Sequence, residues 1–366
     1  MFYEHVTGLL NMRELEDEGK VMALSAYGYA PTDGGNPLMD LFEVEGTTIR
    51  CRLGPLALRR FLGRELAMVP SEQFAWMAQR ALEKAVTELV HSALRETGMR
   101  RVVYAGGVAS NIQANLKIRE LPECESLFVF PHMGDGGLAL GAALSRAVSR
   151  GASPHFALGD LRLGPAVPGL DEPAVAAAVE GSGLRYSKPD CLPKEVARRL
   201  ARDEIVLWFQ GRMEYGPRAL GGRSILARPD RREIRDRLNS NLKRRVWYQP
   251  FCPSMLDGEA VRLLEDGSAV NRYMTMGYRV KPEARAILEG VVGSDGTCRP
   301  QMVDASYGRY YELLVALKEL IGLGVVLNTS FNLHGEPVVA SPEDALRTFK
   351  ACGAEALVLG DWLVES

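Results

Sequence analysis

Two strand–glycine turn–helix units follow one another between residues 101 and 149, and they constrain the fold of this chain more than any other feature. In the first, Arg101-Val102-Val103-Tyr104-Ala105 reads as a buried strand, Gly106-Gly107 as the turn, and Ser110 as the cap of the next helix. In the second, Leu127-Phe128-Val129-Phe130 is the strand, Gly134-Asp135-Gly136-Gly137 the turn, and residues 138–149 an Ala/Leu-rich helix. A strand that runs through glycine into a helix start gathers free backbone amides and a positive helix end at one point. Two such units in succession predict an α/β lobe that can bind a nucleotide. A long helix precedes them. Pro70-Ser71 opens it, Phe74, Met77, Ala81, Ala85, Leu89 and Leu94 recur at helical spacing, and Gly98 stands where a C-cap belongs. Residues 1–50 give no clear periodic element, although GKVMALSAYG (19–28) is rich in small side chains.

Residues 151–172 are rich in Gly and Pro and predict a domain boundary, with domains at 1–157 and 158–366. The second half predicts a helix near 193–203, a strand over 205–209, a glycine- and arginine-rich segment over 211–227 and a basic helix over 230–245. A further helix over 307–321, a strand over 325–327, a helix over 342–352 and a late strand over 356–359 follow. This mixed order predicts a second α/β domain, and 366 residues are enough for two cores.

Composition removes several classes of function. A formal net charge of −2 lacks the basic excess on which a nucleic-acid binder depends. The six cysteines show neither CxxC nor Cys/His ligand spacing, which predicts reduced thiols in a cytoplasmic protein rather than a zinc site or a disulfide framework. No run is long enough to span a bilayer, so no membrane role is expected. Gly-x-x-x-x-Gly-Lys-Ser/Thr, Gly-x-Ser-x-Gly and HExxH are all absent, so the chain is not a P-loop protein and carries neither a hydrolase elbow nor a zincin pair.

Four groups of residues could carry chemistry. Arg212, Glu214, Arg218 and Arg223, followed by Lys243 and Arg245, set guanidinium groups among glycines, which suits a multiply charged phosphate ligand or else a solvated basic face. The 231–237 run alternates with Glu233 and Asp236 and reads as a wet helix face. Gly106, Gly107 and Asn111 bracket the first turn and form an anion-accepting helix start or a plain tight turn. Asp135 in the second turn is a metal ligand or a helix cap. Asn328-Thr329-Ser330-Phe331-Asn332 bunches amides and hydroxyls at a strand end, as a ligand contact or an Asx-type turn.

At these residues the sequence becomes recognisable. GKVMALSAYG, AGGVASN, PHMGDGGLALGAAL, GRMEYGPRALGGRSIL, NLKRRVWYQPFCPS, DGTCRPQ and NTSFNLHGEPVV occur in that order over residues 19–339. Together they resemble the nodulation-factor and antibiotic O-carbamoyltransferases, which carbamoylate hydroxyls of sugars, cephems and aminoglycosides. The resemblance implies an α/β protein in two modules. One is part of an actin/Hsp70-like (ASKHA, RNase H-like) lobe, as in the tRNA threonylcarbamoyl-transfer proteins. The other is a YrdC-like domain that joins carbamoyl phosphate and ATP, with Mg2+, into carbamoyl-adenylate. The carbamoyl group is then passed in the first module, beside Fe2+ or another divalent metal, to a small-molecule hydroxyl acceptor. It implies Arg218, Lys243 and Arg299 as catalytic groups, and Arg212, Arg223, Arg245, Asn328, Ser330 and Asn332 around carbamoyl phosphate and ATP. Gly106, Gly107 and Asn111 would hold the adenylate in the transfer site, and Asp135 would bind the metal.

Three departures qualify the resemblance. The family begins with a further N-terminal lobe of roughly 150–200 residues that carries a histidine pair, and His5 is not that pair. The chain is therefore expected to need an N-terminal-lobe partner chain, with Asp135 one ligand of an incomplete site. The usual Arg-Glu-x-Phe-Arg-Pro reads Arg245-Val246-Trp247-Tyr248-Gln249-Pro250, and the usual His before Val-Asp-Gly is Gly293. Loss of those charges leaves a second reading open, in which the chain is a nucleotide-binding regulatory module or only the adenylate-forming half. Action on tRNA is disfavoured by the balanced charge.

Overall fold

The computed structural model describes residues 1–31, 35–155, 158–164 and 172–365. They divide into two compact units. One comprises Met1–Asp135 with Thr275–Gly277 and Gly293–Asp295, and the other comprises the rest. The boundary expected after residue 157 falls at 156–157, outside the described residues, as do 165–171 of the Gly/Pro-rich stretch.

The first unit begins with α1 (Phe2–Leu9), α2 (Glu18–Ser25) and a hairpin of β1 (Phe42–Glu45) and β2 (Thr48–Cys51). These occupy a region in which no periodic element was expected. Each is eight residues or fewer, too short for a helical or alternating period to repeat. α3 (Pro55–Leu66) leads to α4 (Ser71–Thr97), which buries Phe74, Met77, Ala81 and Ala85 and ends on Gly98 at φ +68°, the left-handed cap its spacing predicts. β3 (Arg101–Tyr104) pairs in parallel with β4 (Ser126–Val129), and α5 (Ile112–Arg119) lies between them in the chain.

The expected burial of β3 is corrected. Its residues alternate, with Val103 78% exposed. Among the described residues these two strands form a sheet of their own, with α5 packed against β4 and one face left uncovered. The expected cap is corrected as well. Asn111 rather than Ser110 caps α5, accepting from the Ala114 amide, while the Ser110 hydroxyl donates back to the Gly107 carbonyl oxygen at 2.6 Å.

The second unit opens with α6 (Leu138–Ser149), α7 (Glu172–Glu180), β5 (Arg185–Ser187) and α8 (Leu192–Ala201). β6 (Val206–Phe209), β7 (Arg223–Ala227), α9 (Arg232–Arg237), β8 (Cys252–Leu256) and α10 (Asp257–Leu263) follow. Then come β9 (Tyr278–Arg279), β10 (Thr297–Cys298), β11 (Gln301–Val303), α11 (Arg309–Ile321), β12 (Val325–Ser330), α12 (Pro342–Cys352), β13 (Ala356–Leu359) and β14 (Trp362–Glu365). Eight strands form one mixed sheet in the order β11-β8-β12-β7-β6-β13-β14-β5. β6, β7, β8 and β13 are buried at every position, as inner strands covered on both faces are. α8 and α11 close one face, α11 bringing Tyr310, Leu313 and Leu317 into one cluster with Trp208, Val326 and Val358 of the sheet.

The basic helix expected over 230–245 is shorter. α9 stops at Arg237 and a single π turn carries the chain from Leu238 to Leu242, which releases Lys243 and Arg245 from the helix face. β8 is not among the elements the sequence predicts, and Pro253 within it is unusual for an inner strand. It is tolerated there because β11 begins only opposite Ser254. Among the described residues no helix is long and apolar enough to cross a membrane.

Candidate anion-binding site

One end of the eight-stranded sheet gathers most of the arginine-bearing segments. In the β8–β12 ladder Cys252 stands opposite Asn328, and in the β7–β12 ladder Ser224 stands opposite Ser330. The loop that enters β7 therefore meets the start of β8 and the end of β12. That loop carries Arg218, and neighbouring groups hold it closely. Glu214 Oε1 accepts from the backbone amides of Leu220 and Gly222, each at 2.7 Å, and of Arg223 at 3.2 Å. Trp208 Nε1 donates to the Gly221 carbonyl oxygen at 2.9 Å, Gln301 Nε2 to that of Leu220 at 2.9 Å, and Asn328 Nδ2 to that of Ala219 at 3.0 Å. Gly221 sits at φ +103°, and a Cβ there would lie 2.6 Å from the Tyr310 ring. Glycine is the residue that meets both demands.

Arg218, Arg245, Arg299, Gln249, Cys252, Asn328, Thr329 and Ser330 line a cavity of about 200 Å³. Among the described residues on its wall there is no Asp or Glu. Burial lowers Arg218 to about 9, and the neighbouring Arg299 charge adds to the effect. Burial likewise lowers Arg245 to about 10, opposed by Cys252 and reinforced by Arg299. Arg218 Nε is buried and has no hydrogen-bond partner. Arg245 stacks 3.9 Å from the Phe251 ring centroid and donates to Asn239 Oδ1 at 2.6 Å. Arg299 donates through Nε and Nη2 to the Cys252 sulfur at 3.1 and 3.0 Å. Three guanidinium groups without a carboxylate are an unbalanced charge, and an oxyanion would balance it. Asn328 Oδ1 is also buried and unpartnered, leaving one acceptor on a wall that is otherwise rich in donors.

Lys243 lies behind Ser330. Its ammonium donates to the carbonyl oxygen and hydroxyl of Ser330 and to the carbonyl oxygen and Oδ1 of Asn332. Burial, with Arg245 next in effect, lowers it to about 7. Asn332 is committed to this cage, donating through Nδ2 to the Glu336 carbonyl oxygen at 2.7 Å.

Two arginines of the same segment stand apart from the cavity wall. Arg212 is exposed and donates to the carbonyl oxygens of Leu163 and Gly164. Arg223 is fully buried 3.5 Å from the Phe209 ring centroid, and its Nη1 donates to the carbonyl oxygens of Gln210, Gly211 and Gly222. Sequence reasoning passed over Cys252 and Gln301. The signal for both was their place beside quoted residues, in QPFCPS and CRPQ.

In the first unit Gly106, at φ +106°, donates its amide to the Met133 carbonyl oxygen at 2.7 Å, and Gly107–Ser110 form a single turn. Asn111 exchanges two hydrogen bonds with Gln79, at 3.0 and 3.1 Å, besides capping α5. Gln79 in turn accepts from Tyr3 Oη at 2.6 Å and donates to Glu83 Oε1 at 2.8 Å. Burial raises the Glu83 carboxyl although Arg80 donates to it at 2.6 Å. Gly107, Val108, Ser110 and Asn111 border a largely apolar cavity of about 550 Å³ that also takes in Phe2, Phe42 and Leu89. Asp135 begins a short 3-10 turn. Among the described residues no three His, Cys, Asp or Glu side chains are grouped to hold a metal. A lone carboxylate does not make a transition-metal centre, so the residues present do not fit the implied iron.

Comparison with known proteins agrees with the order of the motifs. Residues 1–144 match the family model described as carbamoyltransferase N-terminus, and residues 197–366 the one described as carbamoyltransferase C-terminus. Two uncharacterised proteins of Methanocaldococcus jannaschii are similar. One is 36% identical over 99% of this chain and 61% of its own length, the other 32% identical over 99% and 71%. Nodulation protein NolO of Bradyrhizobium diazoefficiens is 34% identical over 95% of this chain and 65% of its own length. The chain thus spans between 61% and 71% of the length of these relatives. A solved structure of full-length HypF in a phosphate- and nucleotide-bound form overlays 50% of this chain and 22% of its own, at 20% identity and a TM-score of 0.32.

Proposed function

The chain belongs to the carbamoyltransferase family, and from that premise we propose that its second unit binds carbamoyl phosphate and ATP and joins them into carbamoyl-adenylate for transfer to a hydroxyl. On this reading residues 158–366 form a YrdC-like adenylate-forming domain and residues 1–157 the C-terminal part of an actin/Hsp70-like transfer lobe. The observation that carries the proposal is the cavity in which Arg218, Arg245 and Arg299 stand without a carboxylate.

Carbamoyl phosphate is a small anion with an amide-like end, and the wall matches both parts. The phosphoryl oxygens accept from the guanidinium groups, including the unanswered Nε of Arg218. The carbamoyl NH2 donates to the orphaned Oδ1 of Asn328. Water takes the phosphoryl group of carbamoyl phosphate, releasing carbamate and phosphate, and the carbamate oxygen then displaces pyrophosphate from the α-phosphorus of ATP. Positive charge fixed beforehand stabilises both leaving groups without reorganisation at the moment of reaction. Lys243 orients Ser330 and Asn332 from behind. Arg212 and Arg223 hold backbone on this reading rather than substrate. In the first unit the apolar cavity beside Gly107 and Asn111 receives the adenosine part of the adenylate. The hydroxyl transfer draws in addition on an N-terminal lobe.

Gln249 favours a second reading. It stands on the cavity wall where the family places an arginine, and its amide brings no charge. A chain that keeps ATP but lacks this donor would be a nucleotide-binding module. Isotope exchange between ATP and pyrophosphate, dependent on carbamoyl phosphate, decides between the two. Dependent exchange supports adenylate formation. ATP binding without exchange overturns it in favour of the module.

A further inference from the structure

Cys252 is the cavity-wall group to which the proposed reaction gives no part. It opens β8, its sulfur accepts two hydrogen bonds from Arg299, and it shares the cavity wall with Arg218 and Arg245. The same cavity holds a second, independent sign of an anionic occupant, the buried and unanswered Nε of Arg218. A cavity of about 200 Å³ leaves an anion held by these arginines within contact of the sulfur. The two hydrogen bonds from Arg299 fix the position of the sulfur on the wall. The ligand proposed for this cavity is an acyl phosphate, whose carbonyl carbon is an electrophile.

We propose that Cys252 is a carbamoyl-accepting nucleophile within the anion cavity. Its sulfur attacks the carbonyl carbon of bound carbamoyl phosphate and an S–C bond forms. The C–O bond to the phosphoryl group breaks, and inorganic phosphate leaves with that electron pair and takes up the thiol proton. The product is S-carbamoyl-Cys252, formed without ATP and without any change of oxidation state. This inference rests on the reading of the cavity as the carbamoyl phosphate site. The other cysteines serve as internal controls. Cys51 and Cys191 are exposed, Cys124 is half-buried, Cys298 and Cys352 are buried, and none of them lines this cavity.

The test is peptide mass spectrometry of the full chain after incubation with carbamoyl phosphate in the absence of ATP, with carbamoyl phosphate binding measured in parallel by calorimetry. Carbamoyl addition is expected at Cys252 at about tenfold or more the level at Cys51 and Cys191, and inorganic phosphate is expected to suppress it. Arg299→Lys removes the paired donors to sulfur and is expected to slow labelling about tenfold or more. A second arm uses potassium cyanate, which carbamoylates thiols from solution and should reach the exposed Cys51 and Cys191 first. An unlabelled Cys252 in protein that binds carbamoyl phosphate overturns the inference and leaves the functional reading standing. Absence of binding removes both. Labelling of Cys252 that phosphate does not suppress, or that ranks the cysteines as cyanate does, overturns the inference by assigning the product to a solution reagent.

Discussion

Lys243 donates to Ser330 twice, through Nζ to the carbonyl oxygen at 2.5 Å and to the hydroxyl at 3.2 Å, in a cage that Asn332 completes without any carboxylate. Burial and Arg245 bring its ammonium down from 10.5 to about 7. Between those two values the unfolded chain keeps a proton that the native chain has lost. Stability therefore rises with pH through that window, and the cost of holding the buried charge is fully present below about 7. Lys243→Met should flatten the rise. Denaturant midpoints for both proteins at several pH values across the window check this, and an identical slope in the variant would count against it.

Arg218→Ala is expected to separate stability from binding. The guanidinium is buried beside Arg299 and its Nε has no partner, so removing it relieves repulsion and desolvation. The unfolding free energy should stay the same or rise, by up to about 2 kcal/mol. A loss of several kcal/mol would mean that Arg218 has a structural partner in solution.

Glu214 should matter for the opposite reason. Its Oε1 gathers three backbone amides of the loop that carries Arg218. Glu214→Ala leaves those donors unanswered and should cost about 2–4 kcal/mol. Glu214→Gln keeps an acceptor oxygen and should cost about half as much. Equal costs for the two variants, read from chemical denaturation, would contradict this account.

Gly221→Ala tests the same loop through its backbone. The substitution needs φ +103° for a residue with a side chain and drives a methyl group to 2.6 Å from the Tyr310 ring. A loss of about 2–4 kcal/mol is expected, and carbamoyl-phosphate-dependent exchange should fall with it. Wild-type stability and exchange would show that the loop tolerates displacement.

Elements with enough length or uniform burial were legible in the sequence. α4 and its Gly98 cap follow from six apolar positions at helical spacing, and β13 from an unbroken apolar run. β8 was hidden by Pro253, and the N-terminal helices by their brevity. The exposure of Val103 depends on how many strands join β3, which no local pattern records. The site divides in the same way. Arg218, Arg245, Arg299, Asn328 and Ser330 are far apart in the chain, and their motifs were visible, but only the β7–β12–β8 register brings them to one cavity. Composition could not distinguish Arg218 from Arg212 and Arg223, because which guanidinium meets backbone carbonyls and which is left with an unpartnered Nε is decided by the turn that Glu214 holds.

Calorimetric titration of carbamoyl phosphate into the protein and its Arg218→Ala variant tests the central claim most directly. Saturable binding to the wild type is expected, competed by inorganic phosphate, weakened by salt, and reduced by about tenfold or more in a variant that remains folded. A folded wild type that takes up no carbamoyl phosphate, or a variant that binds it equally well, would contradict the assignment of the arginine cavity as the acyl-phosphate site.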